Sequence, residues 1–208
     1  MLSSSGVPAK GVGPVAVLTL VAVVCSLTAL QRVGAIPLSS LAASPRELAD
    51  GRVWLLFSSG AIAADPLLWS LFSFCGLALL ALRLCGWPIL VLAALVGQTV
   101  STLLGYSILG LARLVDSDAF QRLVSAPDYG VSAVSAAWLG AIAAVGWRAR
   151  NESGIKAAIV VGSVAAGCLA WFVRGGGLDV LDSEHAFAFA IGVAAVAALP
   201  ARRSVKDA

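Results

Sequence analysis

The sequence predicts an all-α integral membrane protein, a bundle of six transmembrane helices. Three observations carry this. Of 208 residues, 60% are hydrophobic and only 12% charged, about half the charge of an ordinary soluble domain. The apolar residues fall into long blocks, each near the ~20 residues a helix needs to cross ~30 Å of hydrocarbon. The strict alternation that a membrane barrel strand requires is absent, and backbone inside lipid must satisfy its own hydrogen bonds, so the blocks are helices.

The blocks are, in order, Val12–Leu30, Pro66–Leu84, Trp87–Leu111, Tyr129–Trp147, Ile155–Val173 and the shorter Ser183–Leu199. The first follows Lys10 and resembles a signal peptide. Its run of about 19 residues exceeds the usual 7–15 of a signal core, and no clean small-x-small cleavage site follows, so it reads as a retained span. The loop Gln31 to Asp65 holds an apolar stretch, Val53–Ile62, too short to span and suited to an interfacial or re-entrant segment. Cys85-Gly86 makes a tight hairpin. The next loop carries Asp116, Asp118 and Asp128, and the fifth opens on Gly175-Gly176-Gly177. The organisation is a short tail (1–11), one membrane domain (12–200) and a short basic tail (201–208).

The net charge of +3 comes without any basic run, which argues against nucleic acid as a partner. With the termini inside, the inner segments hold Lys10, Arg83, Arg148, Arg150, Lys156, Arg202, Arg203 and Lys206, eight of the 14 basic residues. The positive-inside rule therefore favours both termini in the cytoplasm. The Arg, Ala, Val and Gly bias suggests a GC-rich genome and a bacterial inner membrane. Cys25, Cys75, Cys85 and Cys168 lie in or beside apolar blocks with no CxxC pair, and read as small packing residues rather than disulfide or metal ligands.

His185 is the only histidine and stands at the start of the sixth block. Taken alone it fits an interface residue. Ser132 opens the fourth block, which runs in the same direction. Both therefore lie within the first turn of parallel helices, at similar depth below the outer surface. A serine is a poor nucleophile until a base takes its proton, and a serine beside an imidazole is the minimal arrangement for that. Ala188 and Gly192 follow His185 on one small-residue face that permits close helix approach. The bland alternative is that Ser132, Ser135, Gly140 and these residues only pack helices together.

Gly130-Val131-Ser132-Ala133 and His185-Ala186-Phe187-Ala188-Phe189-Ala190-Ile191-Gly192 resemble the two motifs of the rhomboid family of intramembrane serine proteases. There a GxSG opens helix four and a histidine followed by glycines opens helix six. The long first loop, with Trp54-Leu55-Leu56-Phe57-Ser58-Ser59-Gly60-Ala61-Ile62, is similar to the family's WR-LLTS-FLH segment, so the resemblance runs over nearly the whole chain. It implies a six-helix fold, Ser132 as nucleophile and His185 as general base and acid. It also implies oxyanion donors near Gly130, Val131 and Ala133, no metal or other cofactor, and transmembrane protein substrates reached through the lipid bilayer. The sequence departs from the pattern at Ala133 (for glycine), Leu55 (for the arginine), Ala63 (for the histidine of FLH) and on helix two. There the family's His and Asn fall on Leu68 and Phe72, or on Trp69 and Ser73 with a one-residue shift. One lost oxyanion donor typically costs about 10²–10³ in rate. The same residues thus also fit a catalytically inactive rhomboid-like protein that binds transmembrane helices as an adaptor or chaperone. A small transporter or complex subunit is a third class, and would need mid-span charges facing a pathway.

Elsewhere, Gln98, Thr99, Ser101 and Thr102 read as interhelical hydrogen bonds. Asp128 reads as the N-cap of the fourth helix, or as a residue ordering its loop. Asp179, Asp182 and Glu184 read as a solvated acidic face, and Gly175–Gly177 as a flexible loop.

Overall fold

The computed structural model describes residues 12–112, 121, 123–149, 152–173 and 180–198. The expectations for Lys10, Asp116, Asp118, Arg150, Gly175–Gly177, Asp179 and the two tails, and for the side chains of Cys168 and Asp182, lie outside the described residues. Among the described residues the fold is all-helical. The long helices are α1 (Val12–Arg32), α4 (Leu67–Cys85), α5 (Trp87–Ala112), α6 (Ser132–Arg148), α7 (Glu152–Val173) and α8 (Val180–Ala198), with the short α2 (Pro45–Ala49) and α3 (Leu55–Ser58) between α1 and α4. Each apolar block of the sequence falls on one long helix. Three of these, Val12–Arg32, Leu67–Cys85 and Trp87–Leu111, are long and apolar enough to cross a membrane.

Local chemistry places the boundaries. Ser44 caps α2, its hydroxyl accepting the Glu47 amide at 3.2 Å, with Pro45 at the first helical position. Gly86 turns α4 into α5 at φ 87°, a left-handed conformation that a Cβ disfavours. The Val53–Ile62 stretch is α3 plus one tight turn. Leu55, Ser59, Gly60 and Ile62 are buried while Val53, Trp54 and Phe57 are exposed. The turn is fastened from two sides. The Ala63 amide donates to Thr28 Oγ1 of α1 at 2.9 Å, and Gln98 of α5 donates to Ser59 Oγ at 3.3 Å. A Cβ on Gly60 would stand 2.6 Å from Gln98 Oε1, so any larger residue there requires the Gln98 side chain to move.

Helix α6 is the centre. Ala137, Trp138, Ala141 and Ile142 are fully buried, and α6 touches α4, α5, α7 and α8. The Trp138 indole donates to the Leu90 carbonyl of α5 at 2.9 Å, which satisfies the one polar atom of a buried ring. Its ring centroid is 5.0 Å from that of Phe74 on α4. The closest approach is between α6 and α8. A Cβ on Gly140 would collide with the Phe189 carbonyl, and one on Gly192 would collide with the Ala137 carbonyl. Two glycines, one on each helix, thus let backbone meet backbone. At the far end Arg148 reaches from α6 to the last turn of α8, donating to the carbonyls of Val196 at 2.8 Å and Ala197 at 3.1 Å, groups that lack helical partners.

Candidate active site

The site is built on the start of α6. Gly130 has φ 144°, a region that L side chains avoid, and its amide donates to the Ser59 carbonyl at 2.9 Å. A Cβ there would stand 3.4 Å from Ser132 Oγ and 3.7 Å from Ala64 Cβ. The glycine of the Gly130-Val131-Ser132 run therefore meets one local need, the unusual turn, since a Cβ there would make only ordinary contacts. Val131 occupies the N-cap position of α6 with no side-chain cap, and Ser132 is the first helical residue. The amides of Ser132, Ala133 and Val134 precede the first helical bond, Ser135 N–H to Val131 O at 2.9 Å, so none has an intrahelical partner.

Ser132 is exposed and His185, near the start of α8, is half-buried. Their side chains meet, with His185 Nε2 2.8 Å from Ser132 Oγ. The two residues lie 53 positions apart in the chain. The parallel course of α6 and α8 and their glycine-mediated contact bring them together. Ala188, one turn beyond His185, is fully buried, and Gly192 one turn further sits on the Ala137 carbonyl.

Helix α4 brings no polar side chain to this pair among the positions that the sequence comparison singled out. Leu68 and Phe72 are 83% and 77% exposed, and Trp69 is exposed too. The Ser73 hydroxyl is spent on its own helix, donating to the Trp69 carbonyl at 2.8 Å. Ala63 is buried, its amide held by Thr28.

Two sequence expectations are corrected. Asp128 is not the cap of α6, since the helix begins four residues later. Instead its backbone pairs with Ala43 in an isolated antiparallel bridge, at 2.9 and 2.7 Å, and its carboxylate accepts the Tyr106 hydroxyl at 3.0 Å. Glu184 does not join a solvated face. It is 4% exposed, and accepts the Thr102 hydroxyl across the α5–α8 contact. The polar cluster on α5 divides accordingly. Thr102 and Gln98 bond across elements, and Ser101, which donates to Gln98 O at 3.3 Å, also reaches Glu184. Thr99 donates to Leu95 O at 2.8 Å within the helix. Tyr106 was missed by sequence reasoning, and Glu184 was named but placed on a solvated face. The available signal was an acid directly beside the chain's one histidine, at the head of an apolar helix.

Cys25, Cys75 and Cys85 are free thiols. Among the described residues no group of three or more His, Cys, Asp or Glu side chains could hold a metal ion. No family model, curated protein or solved structure matches this chain.

Proposed function

We propose that the chain is a rhomboid-like protein of the bacterial inner membrane, crossing six times with both termini cytoplasmic, that cleaves the transmembrane segments of other proteins. The observation that carries this reading is the 2.8 Å contact between Ser132 Oγ and His185 Nε2, which lies within the reach that proton transfer requires. With the ring hydrogen on Nδ1, Nε2 accepts the serine proton as Oγ attacks the scissile carbonyl. The imidazolium then gives that proton to the leaving amine, and a water hydrolyses the acyl-enzyme by the same steps. The oxyanion falls to the first-turn amides of α6, at Ser132 and Ala133, where the helix dipole favours negative charge. Gly130 is not a donor in this arrangement, because its amide is engaged with Ser59.

The test is labelling of the full chain in detergent with a fluorophosphonate probe. The wild type labels, and Ser132→Ala and His185→Ala each abolish it. A folded wild type that takes no label overturns the protease reading. One observation favours a second reading, a catalytically silent protein that binds transmembrane helices. Exposed Leu68 and Phe72 stand where a side-chain oxyanion donor is expected. In that case substrate helices bind without cleavage, and Ser132→Ala leaves binding unchanged.

A further inference from the structure

Helix α5 touches the flanks of both members of the pair. Thr102 and Tyr106 are four residues apart, hence one above the other on a single helix face. The Thr102 hydroxyl donates to Glu184, the residue before His185. The Tyr106 hydroxyl donates to Asp128 at 3.0 Å, four residues before Ser132. The two carboxyl groups face one cavity of about 20 Å³, with Tyr106 in its wall, room for about one water molecule.

A buried acid is a costly way to fill space, and an apolar side chain of the same size packs at least as well. Glu184 has a directional bond that leucine would lack. The glycine contact of α6 and α8 fixes how closely the two helices approach. The bond from Thr102 to Glu184 adds a directional constraint on the rotation of α8 about its own axis. A rotation of about 20° moves a side-chain tip at the ~5–6 Å helix radius by about 2 Å. That is enough to break a 2.8 Å hydrogen bond. On the other side, Asp128 is held three times, by both backbone bonds to Ala43 and by Tyr106.

We infer that Glu184 and Asp128 are positioning residues mounted on one rail of α5, Thr102 setting the rotation of His185 and Tyr106 setting the seat of Ser132. The inference rests on the Ser132–His185 reading but concerns the geometry of the pair, so it can be tested apart from turnover.

His185 is the single histidine. The full chain, free of any polyhistidine tag and carrying ¹⁵N-histidine, therefore gives one imidazole in the NMR spectrum. Ser132→Ala moves the Nε2 resonance by removing its partner. Glu184→Ala and Thr102→Val move it to the Ser132→Ala position. Glu184→Gln, whose amide oxygen still accepts from Thr102, keeps the wild-type position. Fluorophosphonate labelling falls by about 10²-fold in Glu184→Ala, the loss expected of an ångström-scale misplacement, and returns in Glu184→Gln. Should Glu184→Ala fail to fold, Thr102→Val and Tyr106→Phe, each lacking one hydroxyl, carry the test. Wild-type Nε2 resonances in both overturn the inference. So does an Nε2 resonance that Ser132→Ala leaves in place, since the contact itself is then absent. A protein that shows these shifts but never labels retains the positioning rail and loses only the protease reading.

Discussion

Helices α4 and α8 flank α6 on two sides and differ in kind. The α8 side is joined backbone to backbone through Gly140 and Gly192, closed at one end by the Ser132–His185 contact and at the other by Arg148 on two carbonyls. The α4 side meets α6 through side chains, chiefly Phe74 against Trp138, and presents Leu68, Trp69 and Phe72 outward. The Ser132–His185 contact sits on the side joined backbone to backbone. The side left bare is the one where the rhomboid pattern puts its polar donors.

The largest expected effect comes from breaking the α8 side. Gly192→Val drives a side chain into the Ala137 carbonyl, forces α8 away from α6 and reduces Ser132 labelling to the Ser132→Ala background. Overpacking of this kind costs about 1–3 kcal/mol or more, read as a fall in thermal midpoint. Next is Gly130→Ala, which places a Cβ at φ 144°. It costs about 1–3 kcal/mol in backbone strain and slows labelling while His185 stays in place. Arg148→Met removes the two bonds at the far end and lowers stability by about 1–3 kcal/mol, yet labelling of the remaining folded protein is unchanged. If labelling falls with Arg148→Met, the two ends of α8 are coupled and the pair is a lever rather than a clamp. Leu68→Ala and Phe72→Ala, on the exposed α4 face, change stability by less than about 0.5 kcal/mol. A large loss in either would show that this face is packed. The smallest effect belongs to the exposed Arg32–Asp65 pair, 2.6 Å apart and joining α1 to the segment before α4. Asp65→Asn shifts the midpoint by an amount that 1 M salt erases.

The helices were legible because hydropathy over ~20 residues is a coarse signal that packing does not override. The meeting of Ser132 with His185 was legible for a simple reason. Two blocks of the same direction, each with a polar residue in its first turn, put those residues at one depth. The cap reading of Asp128 failed although an acid before an apolar run is the usual sign of a cap; its alternative, a residue ordering its loop, fits the bridge to Ala43, a partner far back in the chain that nothing local reveals. Glu184 was misread because acids near a helix start usually face water. Its burial is decided by Thr102 on a helix 82 residues away, a relation that no window over α8 contains. The collisions that require Gly140 and Gly192 likewise belong to pairs of helices and not to either sequence segment.

The 53-position separation of Ser132 and His185 also has a meaning in time. A ribosome moving at ~5–20 residues per second needs about 3–10 s to make them. Over that interval α6 exists without α8. On the proposed mechanism the nascent chain therefore passes through a stage in which Ser132 has no base, and a chain cut short before α8 carries an inert serine. In that reading reactivity arrives with α8, after Ser59 and Gly130, which shape the turn before Ser132, have been made.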